Sequence, residues 1–258
     1  MTLPEDLPDQ FAKLVRQDWT PITIGKSGAR VWRVFLNGGN AVFLKSEPKH
    51  PLAELPREIE RLTWLTRMGF KAPRVVDTGE SGDGLWLLMT AVPGQDLTHW
   101  AQDQTEFVRI YAQGLKRLHA LDPRSCPFDH SIDQRLADAQ ARADAGLVDE
   151  TDFGPDQQGW SAAAVLDWLH HNKPASSGSI VTHGDPSAPN ILASEGRFSG
   201  MVDLARLGVA DLWQDLAIAC RSIQHNIGAD YVAPFLESYG AEWDETRYRY
   251  YNALDNLF

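Results

Sequence analysis

The apolar pattern of this chain shifts near residue 91 from mostly strand-like to mostly helical, and that shift limits the folds open to it. Before it the periodicity is mostly that of strands. W-T-P-I-T-I-G-K-S-G-A-R-V-W-R-V-F-L, residues 19–36, is rich in β-branched and aromatic residues around a Gly25/Gly28 turn. Asn37-Gly38-Gly39-Asn40 signals a hairpin turn, and Ala41-Val42-Phe43-Leu44-Lys45 follows as a strand. Residues 55–68 switch to helical spacing, with Ile59, Leu62, Leu65 and Met68 at three-residue steps. Pro73-Arg74-Val75-Val76 and Leu85-Trp86-Leu87-Leu88-Met89 read as two more strands, turned by Glu80–Gly84. Ala91-Val92-Pro93-Gly94-Gln95-Asp96 then breaks the pattern. Beyond it Phe107, Ile110, Tyr111, Leu115 and Leu118 form one helical face. Helices are predicted over 133–145, over 161–171 with Ser161 as N-cap, over 211–223 and over 229–239; 150–160 is aperiodic and reads as a loop. The prediction is an α+β protein with residues 1–91 as a small antiparallel-sheet lobe with one main helix, 92–96 as a hinge, and 97–258 as a larger helical lobe.

The chemistry is concentrated in V-T-H-G-D-P-S-A-P-N, residues 181–190. Short apolar strands, Ile180–Thr182 and Gly200–Val202, flank it. Asn190 stands five residues after Asp185, and Asp203 thirteen after Asn190. These gaps are those of the kinase H-R-D-x-x-x-x-N loop and D-F-G acid, in which the first Asp accepts a hydroxyl proton and the other two residues hold magnesium. Asp185 is therefore the candidate base. Asn190 and Asp203 are candidate Mg²⁺ ligands, since hard oxygen donors suit that cation. Singly, Asp185 and Asn190 would be ordinary turn residues around Pro186 and Pro189. Lys45 ends the strand V-F-L-K, where a lysine that pairs with nucleotide phosphates belongs; a lysine guarding an edge strand is the plainer alternative. Glu58 is its natural partner, with Glu54 and Glu60 in competition on the same helix. Ser27 and Gly28 in the Gly25–Gly28 turn could cover phosphates with backbone N–H groups, or could simply close a hairpin. His183 reads as a brace for the loop, and His119 as a core residue.

Composition excludes other classes. With 24 basic against 35 acidic residues the formal net charge is -11, which argues against nucleic acid and fits a cationic small molecule. The two cysteines, Cys126 and Cys220, make neither a disulfide framework nor a zinc site. The first residues carry no signal-peptide pattern and no apolar run reaches membrane-spanning length, so no membrane association and a cytoplasmic location are expected.

Together these motifs resemble the aminoglycoside 3′-phosphotransferases, kinases of kanamycin and neomycin with a protein-kinase-like fold. The likeness also runs through P-G-Q-D-L, C-P-F-D-H-S-I-D, A-G-L-V-D, G-R-F-S-G-M-V-D, R-L-G-V-A-D-L-W-Q-D-L-A-I-A and the final L-D-N-L-F, and so covers nearly the whole chain. It implies ATP- and Mg²⁺-dependent phosphorylation of a hydroxyl, expected to be the 3′, of an aminoglycoside antibiotic, and hence resistance. It implies Asp185 as catalytic aspartate, Asn190 and Asp203 as magnesium ligands, and Lys45 with Glu58 as the nucleotide-anchoring pair. Met89, Ala91 and Val92 would run along the adenine. Asp152, Arg206, Arg221, Asp255 and the carboxylate of Phe258 would serve the cationic substrate with Asp185. Departures occur at Leu204-Ala205, where relatives commonly carry Cys-Gly, at Ser222, where an acid often meets the drug, and at Gly154-Pro155, where acids are expected. Two alternatives stay open. One is a kinase of another small cationic or sugar metabolite, choline-kinase-like; the other is a non-catalytic nucleotide-binding regulator, which would be expected to lack one of Lys45, Asp185, Asn190 or Asp203.

Overall fold

In the computed structural model, which describes residues 4, 6–22, 29–36, 39–175 and 178–258, the chain divides into two units. One is Met1–Pro93 with Met201–Ala205; the other is Gly94–Gly200 with Arg206–Phe258. The turn residues Gly25–Gly28, Asn37 and Gly38 lie outside the described residues.

The first unit is a five-stranded antiparallel sheet in the order β1-β2-β3-β5-β4. Its strands are β1 (Asp18–Ile22), β2 (Arg30–Phe35), β3 (Ala41–Pro48), β4 (Val75–Ser81) and β5 (Gly84–Thr90). Strand side chains alternate between faces, so each strand serves two environments. On one face Trp32, Val34, Val42, Leu44, Trp86 and Leu88 form a core closed by Phe11 and Leu14 of a 3-10 segment, Asp9–Arg16. Trp32 and Trp86 stack there with ring centroids 5.9 Å apart. Each fully buried Leu or Phe contributes about 1.5–3 kcal/mol. Helix α1 (Leu55–Arg67) packs against β4 and β5. Its buried residues are Leu55, Glu58, Arg61, Leu62, Trp64 and Leu65. The predicted apolar face holds in part: Leu62 and Leu65 are fully buried, but Met68 is 39% exposed and a carboxylate takes a place inside. β4 begins at Val75 and runs on to Ser81, so the expected five-residue turn shrinks to Gly82-Asp83 between the paired Ser81 and Gly84.

The second unit is mainly helical. It holds α2 (Gln104–His119), α3 (Ile132–Asp144), α4 (Ala162–His171), α5 (Trp213–Asn226), α6 (Val232–Tyr239) and α7 (Glu245–Asp255). The predicted face of α2 is buried in full. Ser161 caps α4 by accepting from the Ala164 N–H at 3.2 Å. Two short antiparallel pairings frame the motif region. One joins β7 (Ile180–Thr182) to β10 (Gly208–Ala210), and the other joins β6 (Gln95–Asp96) to β8 (Ile191–Ser194) beside β9 (Arg197–Met201). The 150–160 segment contains two 3-10 turns, Glu150–Asp152 and Pro155–Gln157. Helix α7 escapes the sequence reading, because E-T-R-Y-R-Y-Y-N-A-L-D buries tyrosines in place of aliphatic residues at helical spacing. Tyr250, Tyr251, Ala253 and Leu254 are its buried residues. Its cap was the available signal: Asp244 accepts from the Arg247 N–H at 3.0 Å. Among the described residues no helix is long and apolar enough to cross a membrane.

Candidate active site

Lys45 stands on the central strand β3, between Val31 of β2 and Leu87 of β5. Burying an ammonium is costly unless anions meet it. Two do. Lys45 Nζ donates to Glu58 Oε2 at 2.7 Å and to Asp203 Oδ1 at 2.9 Å. Burial works against the charged lysine, but these two carboxylates outweigh it and hold the ammonium well above its ordinary range. Burial pushes the Glu58 carboxyl up; Lys45 pulls it back and Asp203 adds to the rise. Glu54 and Glu60 do not compete for Lys45. Glu54 is the N-cap residue of α1, and Glu60 lies near Arg61. The contact with Asp203 was not visible in the sequence, since 158 residues separate the pair. Asp203 has a φ of 59°, the left-handed region that Asp tolerates better than most residues. It holds one carboxylate oxygen on Lys45 at a site 43% exposed. Met89, on β5, is buried, and Ala91 and Val92 follow that strand half-buried. Ser27 and Gly28 lie outside the described residues.

The motif loop is built in the second unit. Its shape comes from Asp215, whose side chain is wholly buried at the start of α5. One carboxylate oxygen accepts from the His183 N–H at 2.7 Å, the other from the Gly184 N–H at 2.9 Å. His119 Nε2 lies 2.9 Å from the same group, with Tyr239 Oη on its other ring nitrogen. His119 is therefore buried as expected, and polar in its work. Gly184 has a φ of +89°, and a Cβ there would meet the Arg206 carbonyl oxygen at 2.4 Å, so only glycine fits. His183 braces the loop as predicted: its Nδ1 accepts from the Asp185 N–H at 3.3 Å.

Asp185 emerges half-buried from this clamp. Asn190 Nδ2 reaches the Asp185 carbonyl at 3.0 Å and its Oδ2 at 3.1 Å, as well as Ser187 Oγ. The Ser187 N–H donates to the other carboxylate oxygen at 3.3 Å. These contacts fix the carboxylate's rotamer. They also commit the amide nitrogen of Asn190, so that its oxygen is the atom suited to a hard cation. Ser222 Oγ accepts from the Ala188 N–H at 2.9 Å, and Tyr111 Oη donates to the Pro186 carbonyl. Ser222 is thus engaged in holding the loop.

The remaining candidates gather around the last residues. Arg221 donates to Asp255, while Arg135 and Arg206 lie 3.9 Å from its other oxygen. Burial would raise the Asp255 carboxyl, but Arg221, Arg206 and Arg135 hold it below the usual carboxylate range. The Phe258 carbonyl accepts from Arg142 and Arg206, and its ring lies 3.8 Å from the buried Arg135 guanidinium. Arg221 also feels the negative charge of Asp185. Asp152 is exposed on the first 3-10 turn of the 150–160 segment. That segment is pinned to the chain's end through Asn256, which accepts from the Gly154 N–H at 3.3 Å and donates to Gln157 at 3.1 Å.

Residues 18–251 match the family model described as the phosphotransferase enzyme family. An aminoglycoside 3′-phosphotransferase of Niallia circulans is 37% identical over 256 residues, with 97% of each chain covered. The crystal structure of an aminoglycoside-3′-phosphotransferase of type VIII aligns with a TM-score of 0.85 at 32% identity, covering 97% of this chain and 98% of that one. The aminoglycoside phosphotransferase APH(3″)-Id of Streptomyces rimosus, in complex with ADP and streptomycin, aligns with a TM-score of 0.80 at 26% identity over 96% of this chain and 97% of that one. The predicted kinase-like α+β fold, with an antiparallel sheet in one unit and helices in the other, is thereby established.

Proposed function

The chain belongs to the phosphotransferase enzyme family, and we propose from that premise that it transfers the terminal phosphoryl group of ATP to a hydroxyl, the 3′, of an aminoglycoside. The observation that carries the reading is Asp185. Its carboxylate is held by Asn190 and Ser187 on a loop gripped through main-chain N–H groups by Asp215. A carboxylate fixed in this way orients the acceptor hydroxyl and takes its proton as the bond to phosphorus forms, and orientation supplies most of the rate. Residues 1–91 act as the nucleotide lobe, 92–96 as the hinge, and 97–258 as the catalytic and acceptor lobe. Lys45, positioned by Glu58, meets the nucleotide phosphates, and Met89, Ala91 and Val92 line the adenine. Asn190 and Asp203 offer the oxygen donors that Mg²⁺ requires, and when bound it neutralises phosphate charge. The relatives named for aminoglycosides, and the one solved with ADP and streptomycin, support the acceptor class. Asp152, Asp255 and the carboxylate of Phe258 supply the anionic side of the acceptor site, and Arg206 and Arg221, which lie beside Asp255, complete it. The cytoplasm, where ATP is available, is the place of action.

A coupled ADP-release assay of the purified protein against kanamycin, neomycin, streptomycin and choline tests this, with the modified hydroxyl mapped by phosphorus-coupled NMR. Turnover with kanamycin or neomycin, phosphorylated at the 3′ position, is the expected result. Turnover with choline alone would overturn the acceptor assignment and leave the nucleotide chemistry standing.

A further inference from the structure

Helix α1 has an external cap. Its N-cap residue, Glu54, makes no side-chain capping bond, and Pro56 in the first turn has no N–H to give. The helix's opening donors go instead to Glu47 on β3. Glu47 Oε1 accepts from the Glu54 N–H at 3.1 Å, and Oε2 from the Leu55 N–H at 2.7 Å. A carboxylate at this end also meets the positive end of the helix dipole.

The location gives the cap its interest. Glu47 and Lys45 are two residues apart on one strand, so their side chains leave the same face of the sheet. That face is the one turned toward α1, and both residues grip the helix within a single turn: Lys45 at Glu58, Glu47 at Glu54 and Leu55. A lysine has a flexible four-carbon stem, and a single ion pair through it fixes a distance but not an orientation. The second grip, through two main-chain N–H groups, fixes the axial position and rotation of α1. We propose that Glu47 is a positioning residue for phosphoryl transfer, setting the place of Glu58 against Lys45 and so the geometry with which Lys45 meets nucleotide phosphates. The proposal rests on the reading of Lys45 and Glu58 as the nucleotide-anchoring pair.

The test is a set of variants read on nucleotide binding and on steady-state kinetics. Loss of a helix cap shifts an equilibrium by roughly threefold to thirtyfold. Glu47→Ala is expected to raise the Kd and KM for Mg·ATP by about that factor, with the KM for kanamycin changed by less than about twofold. Glu47→Gln, which keeps one acceptor oxygen, is expected to fall between parent and Ala. In a Glu58→Ala background Glu47→Ala should add less than about twofold, because the pair it serves is already gone. Lowered melting temperature with unchanged nucleotide binding in both Glu47 variants would overturn the proposal, as would a full multiplicative loss in the Glu58→Ala background. Should Glu47→Ala fail to fold, Glu47→Gln carries the same comparison. Lys45→Ala is the control on the premise. Unchanged ATP binding in that variant would refute the anchoring pair itself, and Glu47's assigned role with it.

Discussion

Asp215→Asn is the sharpest test of how the motif loop is held. The change keeps size and shape and removes one charge and one acceptor. In the native protein the carboxylate lies at zero exposure and accepts the N–H groups of His183 and Gly184, with His119 as a third partner. An Asn in its place must turn its NH₂ toward one of those N–H groups, leaving that donor buried and unmatched. A hydrogen bond to a charged partner contributes about 1.5–3 kcal/mol. At roughly 2–4 °C per kcal/mol for a chain of this size, losing one such bond lowers the melting temperature by about 3–12 °C. The loop also loses its fixed position, and misplacement of a base by about 1 Å can cost up to about a hundredfold in rate. The expected outcome is a fall in kcat of about tenfold to a hundredfold, measured well below the melting point, with nucleotide Kd nearly unchanged. Circular dichroism melts and the ADP-release assay give both numbers. A lowered melting point with kcat intact would refute the claim that Asp215 positions Asp185 and reduce it to a stabilising residue; no change in either would refute the clamp altogether.

Asp185→Ala should lower kcat by at least about a hundredfold with little effect on ATP binding, as measured by single-turnover kinetics and calorimetry. Lys45→Ala and Glu58→Ala should each impair turnover, and the double variant should be clearly less impaired than the product of the singles; fully multiplicative losses in a double-mutant cycle would show independent roles. Asp255→Asn should destabilise the protein by about 3–5 kcal/mol near pH 6, because it strips the counter-ion from the buried Arg135 and from Arg221, and should raise the KM for kanamycin. Its folded-state carboxyl is depressed, so its stabilising contribution is present above its unfolded value of about 3.9 and is lost as the pH falls through the lower folded value. Urea unfolding at pH 6 and near pH 3 should therefore show the gap between parent and variant narrowing in acid; a gap independent of pH would contradict the pairing.

What could be read from the chain was what is local in it. Asp185, Ser187 and Asn190 bond to one another within six residues, and Lys45 announces itself directly after the apolar run Val42-Phe43-Leu44, although its strand runs on to Pro48. What could not be read depends on closure over long separations. Asp215 bonds to N–H groups more than thirty residues away, Ser222 caps the loop at Ala188 from thirty-four, and Asp203 meets Lys45 from the far end of the sequence. Helix α1 lies where its spacing predicts and buries Leu62 and Leu65 of the predicted face, but a buried ion pair at Glu58 competes with the apolar spacing and Met68 stays exposed. Helix α7 escapes the apolar pattern because half of its buried residues are tyrosines, which hydropathy counts as intermediate. Ser222 is a departure from the resemblance, and nothing local in the sequence points to its bond with the Ala188 N–H.

The atoms a side chain at Gly184 would first meet are the carbonyl group and Cβ of Arg206. The guanidinium of Arg206 is not among those atoms and can change without disturbing that contact. Position 184 has no such latitude, since every substitution there adds a carbon where none fits. Heritable variation is thereby channelled: the side chain at position 206 can change, while the path of the loop that carries Asp185 stays fixed from one variant to the next.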